Sequence, residues 1–237
     1  MISDWLAFWD SPHSIYVSAR HKDAHYRLIA SEIAALVPAS NARVLDYGAG
    51  EALHADLVAA QAGELLLCEG APGVRAALAA RFAGRRKISV LAPDDVVLLP
   101  AHSLDLIVLH SVAQYLTPNQ AGALFALFHR LLKPSGTLVV SDVIEPHVPA
   151  ATDAVALIRF AARNGFLLAA FAGIARTLMS QYMRLRARIG LTRYDEPAML
   201  RKLAAAGFAA QRAEKNIGHN RARVAFIARP LRRGLTA

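Results

Sequence analysis

The stretch that decides the fold is residues 44–51, which read VLDYGAGE. An apolar strand ends in Asp46, and a Gly-x-Gly turn from Gly48 to Gly50 follows it. Because glycine lacks a Cβ, such a turn lets the backbone adopt left-handed dihedrals and approach a ligand closely. Many α/β proteins use a Gly-x-Gly turn, so its meaning depends on the segments around it.

Short apolar runs alternate with alanine-rich segments over residues 43–142, a pattern typical of a parallel sheet with helices on both faces. Helices are predicted over residues 51–62 and 73–83. A third is predicted from the capping sequence at Thr117 to a stop signal at residues 133–136. Five strands are predicted, at Arg43–Asp46, Glu64–Glu69, Lys87–Leu91, Leu104–Leu109 and Gly136–Asp142.

The remaining segments are predicted to flank this core within one domain, because 237 residues suit a single large α/β unit. A helix at 197–206 and two strands near 208–213 and 222–228 complete a mostly parallel, seven-stranded sheet. The predicted organisation is an N-terminal helical arm at 1–40, a core at 41–146, a helical insertion after the fifth strand at 147–195, and the C-terminal helix and strands at 196–237.

Charge is distributed unevenly along the chain. The net charge is +9, but residues 1–150 carry −3 and residues 151–237 carry +12. The basic part favours anionic partners such as anionic lipid, nucleic acid or acidic small molecules. The single cysteine, Cys68, excludes an intramolecular disulfide and a cysteine-based metal cluster. Asp4 and Asp10 stand where a secretion signal carries positive charge, which predicts a cytoplasmic protein.

Acidic residues follow the second and third predicted strands. Glu69 stands 23 residues beyond Asp46, where a carboxylate can accept hydrogen bonds from the ribose hydroxyls of a nucleoside cofactor. Asp94 and Asp95 follow the third strand. The dinucleotide-binding pattern requires glycine at position 53, where this chain has Leu53, so a nicotinamide-dependent dehydrogenase fits less well.

Together these segments resemble the class I S-adenosylmethionine-dependent methyltransferases, especially the small-molecule and lipid branch related to ubiquinone and menaquinone biosynthesis enzymes. Residues 109–116, LHSVAQYL, and residues 131–138, LLKPSGTL, resemble two further segments of that family, so the resemblance covers roughly residues 40–145. Ala52 departs from it, because the family often has a third glycine there. The resemblance implies a Rossmann-like sheet and S-adenosylmethionine as the cofactor.

The resemblance also implies which residues contact the cofactor. They lie in the glycine loop, at the end of the second strand, after the third strand and after the fourth, and are Asp46, Gly48, Ala49, Gly50, Glu69, Gly70, Asp95, Val96, His110 and Ser111. Simpler roles remain open for some of them. Asp46 can cap the following helix, and Glu69 can be a solvated strand end. Asp105 is interpreted as a structural turn residue.

Methyl transfer from a sulfonium is an in-line displacement, which requires alignment of the reactants and exclusion of water. A general base is needed only where the acceptor loses a proton, and His110 is the candidate catalytic residue for that task. Cofactor binding and packing are its alternative roles. No metal site is predicted, because no Glu-x-x-His or Cys-His set accompanies the two arm histidines.

The acceptor is predicted to contact the N-terminal arm, where Tyr16, His21, His25 and Tyr26 cluster in sequence. His21 and His25 share one face if that stretch is helical. Covering the cofactor and simple packing are the alternatives for this cluster. The substrate-binding residues predicted are Tyr16, His21, His25 and Tyr115.

The insertion suggests the kind of acceptor. Residues 164–175 are 12 uncharged residues between two arginines, and Arg184, Arg186 and Arg188 follow. Such a stretch is too short to span a bilayer but can lie on an anionic membrane, line an apolar pocket or form a lid. The Asn/Asp-Pro-Pro-Tyr sequence of base amino-methyltransferases is absent, which disfavours nucleic acid.

The predicted function is therefore methyl transfer to a small, apolar or lipid-like acceptor, with peripheral contact to an anionic membrane. A nucleic-acid methyltransferase and a catalytically silent S-adenosylmethionine-binding protein are the alternatives.

Overall fold

The computed structural model describes residues 2–11, 15–149, 151–178, 188 and 190–231. They form a seven-stranded sheet in the order β3-β2-β1-β4-β5-β7-β6. β7 runs in the direction opposite to that of the other six strands. The strands are β1 Arg43–Tyr47, β2 Glu64–Cys68, β3 Ile88–Leu91, β4 Leu104–His110, β5 Leu132–Val143, β6 Phe208–Arg212 and β7 Val224–Pro230. The predicted Rossmann-like, mostly parallel sheet is confirmed.

Helices cover both faces of the sheet. They are α1 Ile2–Asp10, α2 Ala19–Ala34, α3 Ala55–Gln61, α4 Pro72–Arg81, α5 Pro93–Val97, α6 Pro118–Leu131, α7 Ala151–Asn164, α8 Leu167–Leu178 and α9 Glu196–Ala205. Successive strand residues point to opposite faces. Leu45 accordingly packs with α6 and α9, whereas Val44 packs with α2, α3 and α4.

The fifth strand begins four residues earlier than predicted. The capping box at Thr117 is confirmed, but α6 ends at Leu131 and β5 starts directly at Leu132 instead of at Gly136. Leu132 is fully buried, and Lys133 forms an ion pair with Asp105 at 2.8 Å. Burial and pairing along β4 therefore hold residues 132–135 extended, although their composition is that of a helix stop and turn. Asp105 has the structural role predicted for it.

The N-terminal arm covers the carboxyl end of the sheet. The second half of α2 buries Ile29 and Ile33 against one sheet face. In α1, Trp5 is only 2% exposed and its ring centroid lies 4.6 Å from that of Tyr115, beyond β4. An Asp10 carboxylate oxygen accepts a hydrogen bond from the Gly73 backbone amide, beyond β2. The arm thus spans the edge where the two strands end.

The insertion after β5 packs on the arm. Phe160 of α7 and Phe166 form a buried cluster against α2. Gly173 of α8 lies so close to Val17 that an added Cβ would overlap that side chain. Within the described parts of the chain, no helix has the length and apolar character needed to cross a membrane. Arg184 and Arg186 lie outside the described residues, and Arg188 lies 3.6 Å from the Asp4 carboxylate.

Candidate cofactor and acceptor site

The site lies where the order of the sheet reverses. β1 has β2 on one side and β4 on the other, and ligands of open α/β sheets bind at the carboxyl ends of strands at such a switch point. The loop after β1 requires both glycines, because φ is +82° at Gly48 and +59° at Gly50. A Cβ on Gly48 would overlap Val112, and one on Gly50 would lie 2.8 Å from the Tyr26 hydroxyl oxygen.

Glu69 holds the glycine loop to the end of β2. Its side chain is buried, with one carboxylate oxygen accepting from the Gly50 amide at 2.9 Å and the other from the Ala71 amide at 2.8 Å. The interpretation as a solvated strand end therefore does not apply. A carboxylate has about four acceptor positions, so each oxygen retains a lone pair for a ligand hydroxyl. This donor–acceptor pattern fits the two ribose hydroxyls of a nucleoside.

Asp46 is a carboxyl group with no hydrogen-bond partner among the described residues. Burial raises its pKa to about 7, and the nearby Glu69 carboxylate adds to the increase. Asp46 does not cap the following helix, since α3 begins at Ala55 after His54. A cationic group on a ligand would stabilise the ionised form of this side chain. The ammonium and sulfonium groups of S-adenosylmethionine are of this kind.

The residues predicted to follow β3 have clear structural positions. Asp95 is exposed, and its carboxylate accepts a hydrogen bond from the Ala92 amide at the start of α5, which leaves its other oxygen available. Val96 is fully buried in the core. Leu6 of α1 lies directly over Gly70, where a Cβ would be 2.7 Å from its Cδ2 atom. The end of β2 thus lies beneath the α1 helix.

At the ends of β4 and β5 the backbone is strained. Ser111 and Asp142 have φ values of +58° and +60°, in the left-handed region that non-glycine residues rarely adopt. The Ser111 hydroxyl donates to the Asp142 carboxylate, and the His110 Nδ1 lies 3.0 Å from the Ser141 hydroxyl oxygen. Such strain is concentrated at functional sites in proteins. The bond to Ser141 orients the imidazole of His110.

Three histidines from distant parts of the chain meet above this strained edge. The ring centroid of His25 lies 6.1 Å from that of His21 and 5.8 Å from that of His219, which follows β6. The ring centroid of Tyr16 lies 5.3 Å from that of His21 and 5.5 Å from that of His25. The side chains of Tyr16 and Tyr26 are hydrogen-bonded to each other. We call Tyr16, His21, His25, Tyr26, His110 and His219 the histidine cluster.

The histidine cluster favours neutral imidazoles. Burial lowers the pKa of His21 to about 4, and it also holds the pKa of His25 well below its usual value, with neighbouring histidines adding to both effects. Burial also lowers the pKa of His110 and His219. A neutral imidazole carries one donor nitrogen and one acceptor nitrogen. The cluster is therefore a set of potential proton acceptors at neutral pH.

Two buried nitrogens of the cluster have no partner within the described residues, Nδ1 of His25 and Nδ1 of His219. Buried polar atoms without a partner are costly, so these positions suit a ligand with hydrogen-bonding groups. No set of three potential ligands among the described residues is arranged to hold a metal ion.

The structure brings most of the predicted site residues together. Those predicted to bind the cofactor lie at the carboxyl ends of β1 to β4, except that Val96 is fully buried in the core after β3. Of those predicted to bind the substrate, Tyr16, His21 and His25 are in mutual contact, and Tyr115 lies near enough to contribute to the raised pKa of Tyr16. The sequence pattern placed Tyr26 in the arm cluster, but Tyr26 was not among the residues predicted to bind the substrate. His219 was not predicted at all. The only sequence signal for His219 was its place in a short polar loop, Gly218 to Asn220, between two strands.

Comparison with known proteins agrees with this geometry. A family model described as a methyltransferase domain matches residues 45–140. Residues 45–140 are therefore similar to a methyltransferase domain, and the fold is that of solved S-adenosylmethionine-dependent methyltransferases. No functionally curated protein matches the chain in sequence.

Several solved structures share the fold. A methyltransferase of Leishmania major has a TM-score of 0.61 at 16% identity, with 96% of this chain and 82% of that one covered. The complex of DhpI with SAH, S-adenosylhomocysteine, has a TM-score of 0.62 at 12% identity, with 98% of both chains covered. The YcgJ protein of Bacillus subtilis has a TM-score of 0.60 at 12% identity, covering 87% and 99%. The structural likeness therefore extends well beyond residues 45–140.

Proposed function

We propose that the protein is an S-adenosylmethionine-dependent methyltransferase that acts on a small acceptor with an apolar, lipid-like body, and that this acceptor is held in the histidine cluster. The observation that carries the proposal is the position of the cluster, between the glycine loop and the α7–α8 insertion. Phe166 stacks on His21 with a centroid distance of 5.0 Å, and Phe160 stacks on His219 at 4.5 Å. A pocket with apolar rings and a few polar atoms suits an organic molecule better than a polymer.

The cofactor is proposed to lie across the ends of β1, β2 and β4. S-adenosylmethionine supplies a sulfonium methyl group for in-line displacement by the acceptor. The loop from Gly48 to Gly50 would pass close to its methionine part, beside Asp46, and Glu69 would accept hydrogen bonds from its ribose. The remaining contacts predicted along this edge are those of Ala49, Gly70, Asp95, Val96, His110 and Ser111.

His110 is proposed as the general base for an acceptor that must lose a proton. Its Nδ1 is engaged by Ser141, which leaves Nε2 for the acceptor. Because burial lowers the pKa of His110, the imidazole stays neutral and able to accept a proton at pH 7. Tyr16, His21, His25 and Tyr115 are proposed to surround the acceptor and exclude water. Exclusion of water prevents competing reactions and strengthens electrostatic interactions at the reacting atoms.

Peripheral contact with an anionic membrane is also proposed, as a route by which a lipid-like acceptor reaches the site. In α8 the side chains of Leu168 and Phe171 are 87% and 54% exposed, which is unusual for large apolar residues. They lie in the basic part of the chain, after Arg163. An apolar face beside basic residues is the pattern of interfacial helices.

The experiment is methyl transfer from labelled S-adenosylmethionine to cell extracts separated into small-molecule, lipid and nucleic-acid fractions. We expect incorporation into the small-molecule or lipid fraction. His110→Gln should lower kcat/KM by about 10²–10⁴-fold, the usual contribution of a general base. SAH affinity should fall much less, because one neutral hydrogen bond contributes only about 0.5–1.5 kcal/mol to binding.

In the wild type, activity should be lost only below the ordinary histidine pKa of about 6.5, because the lowered pKa of His110 delays protonation of the imidazole as the pH falls. Incorporation into nucleic acid alone would favour the alternative of a nucleic-acid methyltransferase. Cofactor binding without incorporation into any fraction would favour the catalytically silent protein.

A further inference from the structure

A basic groove of about 1810 Å³ lies between α2, α7 and the segment that joins β6 to β7. Eight arginine or lysine side chains line the groove, against three aspartate or glutamate side chains. The lining therefore has an excess of positive charge. The glycine loop does not contribute to this groove, so it is distinct from the cofactor site.

Several of these positive charges are not neutralised by the protein. Lys215 pairs with Glu32 at 2.6 Å, and Arg27 approaches Asp23 at 3.6 Å. By contrast, four exposed arginines of the groove have no acidic partner among the described residues, and they are Arg20, Arg159, Arg163 and Arg221.

Two of these arginines lie one turn apart on α7, at positions 159 and 163. Like charges at this spacing destabilise a helix by a few tenths of a kcal/mol. An anion in the groove would remove that repulsion. Arg20 approaches the same end of the helix, since a Cβ on Gly165 would lie 3.1 Å from an Arg20 guanidinium nitrogen.

Arg223 provides a second, independent observation. Its side chain lines the groove and is only 9% exposed. One terminal nitrogen, Nη2, donates to both carboxylate oxygens of Asp153, at 2.8 and 2.9 Å. Its Nε atom lies 3.9 Å from an Asp142 carboxylate oxygen, beyond hydrogen-bond distance, and the buried Nε and Nη1 atoms have no hydrogen-bond acceptor in the described structure. Buried charged donors without acceptors are costly, so an anionic group reaching them would be stabilised.

The groove is continuous with the histidine cluster through His219. This residue lines the groove together with Phe160, on which it stacks, and its ring also lies 5.8 Å from that of His25. Gly218 lines the groove as well, and a Cβ on it would be 3.8 Å from the His110 ring. A single ligand can therefore contact the groove with one end and the cluster with the other.

We propose that the groove binds an anionic group of the methyl acceptor, a phosphate or a carboxylate, while the methyl-accepting end passes His219 into the histidine cluster. The inference rests on the proposed function and adds a charge requirement to it. Guanidinium groups suit this role because their planar donors match the oxygens of phosphate and carboxylate. The acceptor is then amphiphilic, with an apolar body and an anionic end.

The test is a titration of the SAH-bound protein with inorganic phosphate, followed through the imidazole resonances of ¹⁵N-labelled histidine. His219→Gln assigns the His219 signals. Sodium chloride at the same ionic strength is the reference, because it screens charge without offering the geometry of phosphate. Phosphatidylglycerol vesicles form a second arm, which distinguishes a lipid headgroup from a soluble anion.

We expect phosphate to shift the His219 signals saturably. In the double variant Arg159→Gln/Arg163→Gln, the affinity should fall about tenfold, as for the loss of one charge-assisted hydrogen bond. Arg85→Gln/Arg86→Gln is the matched control, since these exposed arginines precede β3 at the opposite edge of the sheet. It should bind phosphate as the wild type does.

A response to vesicles but not to free phosphate would identify the anionic group as a lipid headgroup. No response of His219 to phosphate or to vesicles, or an equal loss of affinity in both double variants, would overturn the inference. SAH binding is measured calorimetrically on the same samples. If SAH binding is intact and methyl transfer occurs only to uncharged acceptors, the proposed function stands. Only the proposal that the acceptor carries an anionic group is then refuted.

Discussion

Replacing Glu69 by alanine tests the link between the second strand and the cofactor. The variant removes the acceptors of two backbone amides, Gly50 and Ala71, at 2.9 and 2.8 Å. It also removes the lone pairs proposed to receive the ribose hydroxyls. Hydrogen bonds to a charged group contribute about 1.5–3 kcal/mol, so cofactor affinity should fall roughly tenfold to hundredfold.

The same substitution has a calculable cost in folding stability. A buried donor that loses its acceptor costs about 1–3 kcal/mol, and two amides taken at the low end give about 2 kcal/mol. For a domain of this size that corresponds to a decrease in Tm of roughly 4–8 °C. A domain stable by about 5–15 kcal/mol remains folded after such a loss. The effect on binding can therefore be measured on folded protein.

Calorimetric titration with SAH and a thermal melt give the two quantities. Glu69→Gln should have an intermediate effect, because the amide group keeps one acceptor oxygen and replaces the other by a donor. Glu64→Ala is the matched control: Glu64 begins the same strand and pairs with Arg43 at 2.5 Å, at the opposite end from the site. A folded Glu69→Ala protein that binds SAH as the wild type does would refute the ribose assignment.

Two further predictions concern the glycine loop and the insertion. Gly48→Val should abolish SAH binding while the protein stays folded, because φ is +82° and the new side chain would overlap Val112; Gly84→Val, at φ +77° with open space around it, controls for backbone strain alone. Normal SAH affinity in folded Gly48→Val, measured by calorimetry, would show that the loop does not approach the cofactor. In vesicle flotation, binding should require anionic lipid and weaken with salt, since exposed charges are screened over about 8 Å at physiological ionic strength. Arg184→Gln, Arg186→Gln and Arg188→Gln together should weaken flotation without changing SAH affinity, and Leu168→Gln with Phe171→Gln should weaken it through the apolar face. Equal flotation with neutral vesicles would favour apolar insertion alone, and no flotation would leave α7–α8 as a lid over a soluble acceptor.

The sequence by itself determined the strands of the sheet and the candidate cofactor-binding residues that follow them. Buried parallel strands are continuous apolar runs, so β1 to β5 were recognisable from local composition, and the antiparallel pair β6 and β7 was also placed near its observed position. The positions of Gly48, Gly50 and Glu69 relative to those strands were also local information, because each directly follows a strand end. The helical face shared by His21 and His25 followed from their spacing, and α2 confirms that they lie on a helix.

Tertiary structure alone decided which distant residues meet. His219 contacts His25 across nearly the whole chain, and no local pattern encodes a contact between a helix and a loop from opposite ends of the sequence. The early start of β5 at Leu132 has the same cause, since burial and pairing with β4 override the turn composition of residues 132–135. Net charge indicated a basic half, but only the fold separates arginines that are paired from those that line an open groove. Pairing depends on side-chain distances in space, which composition does not contain.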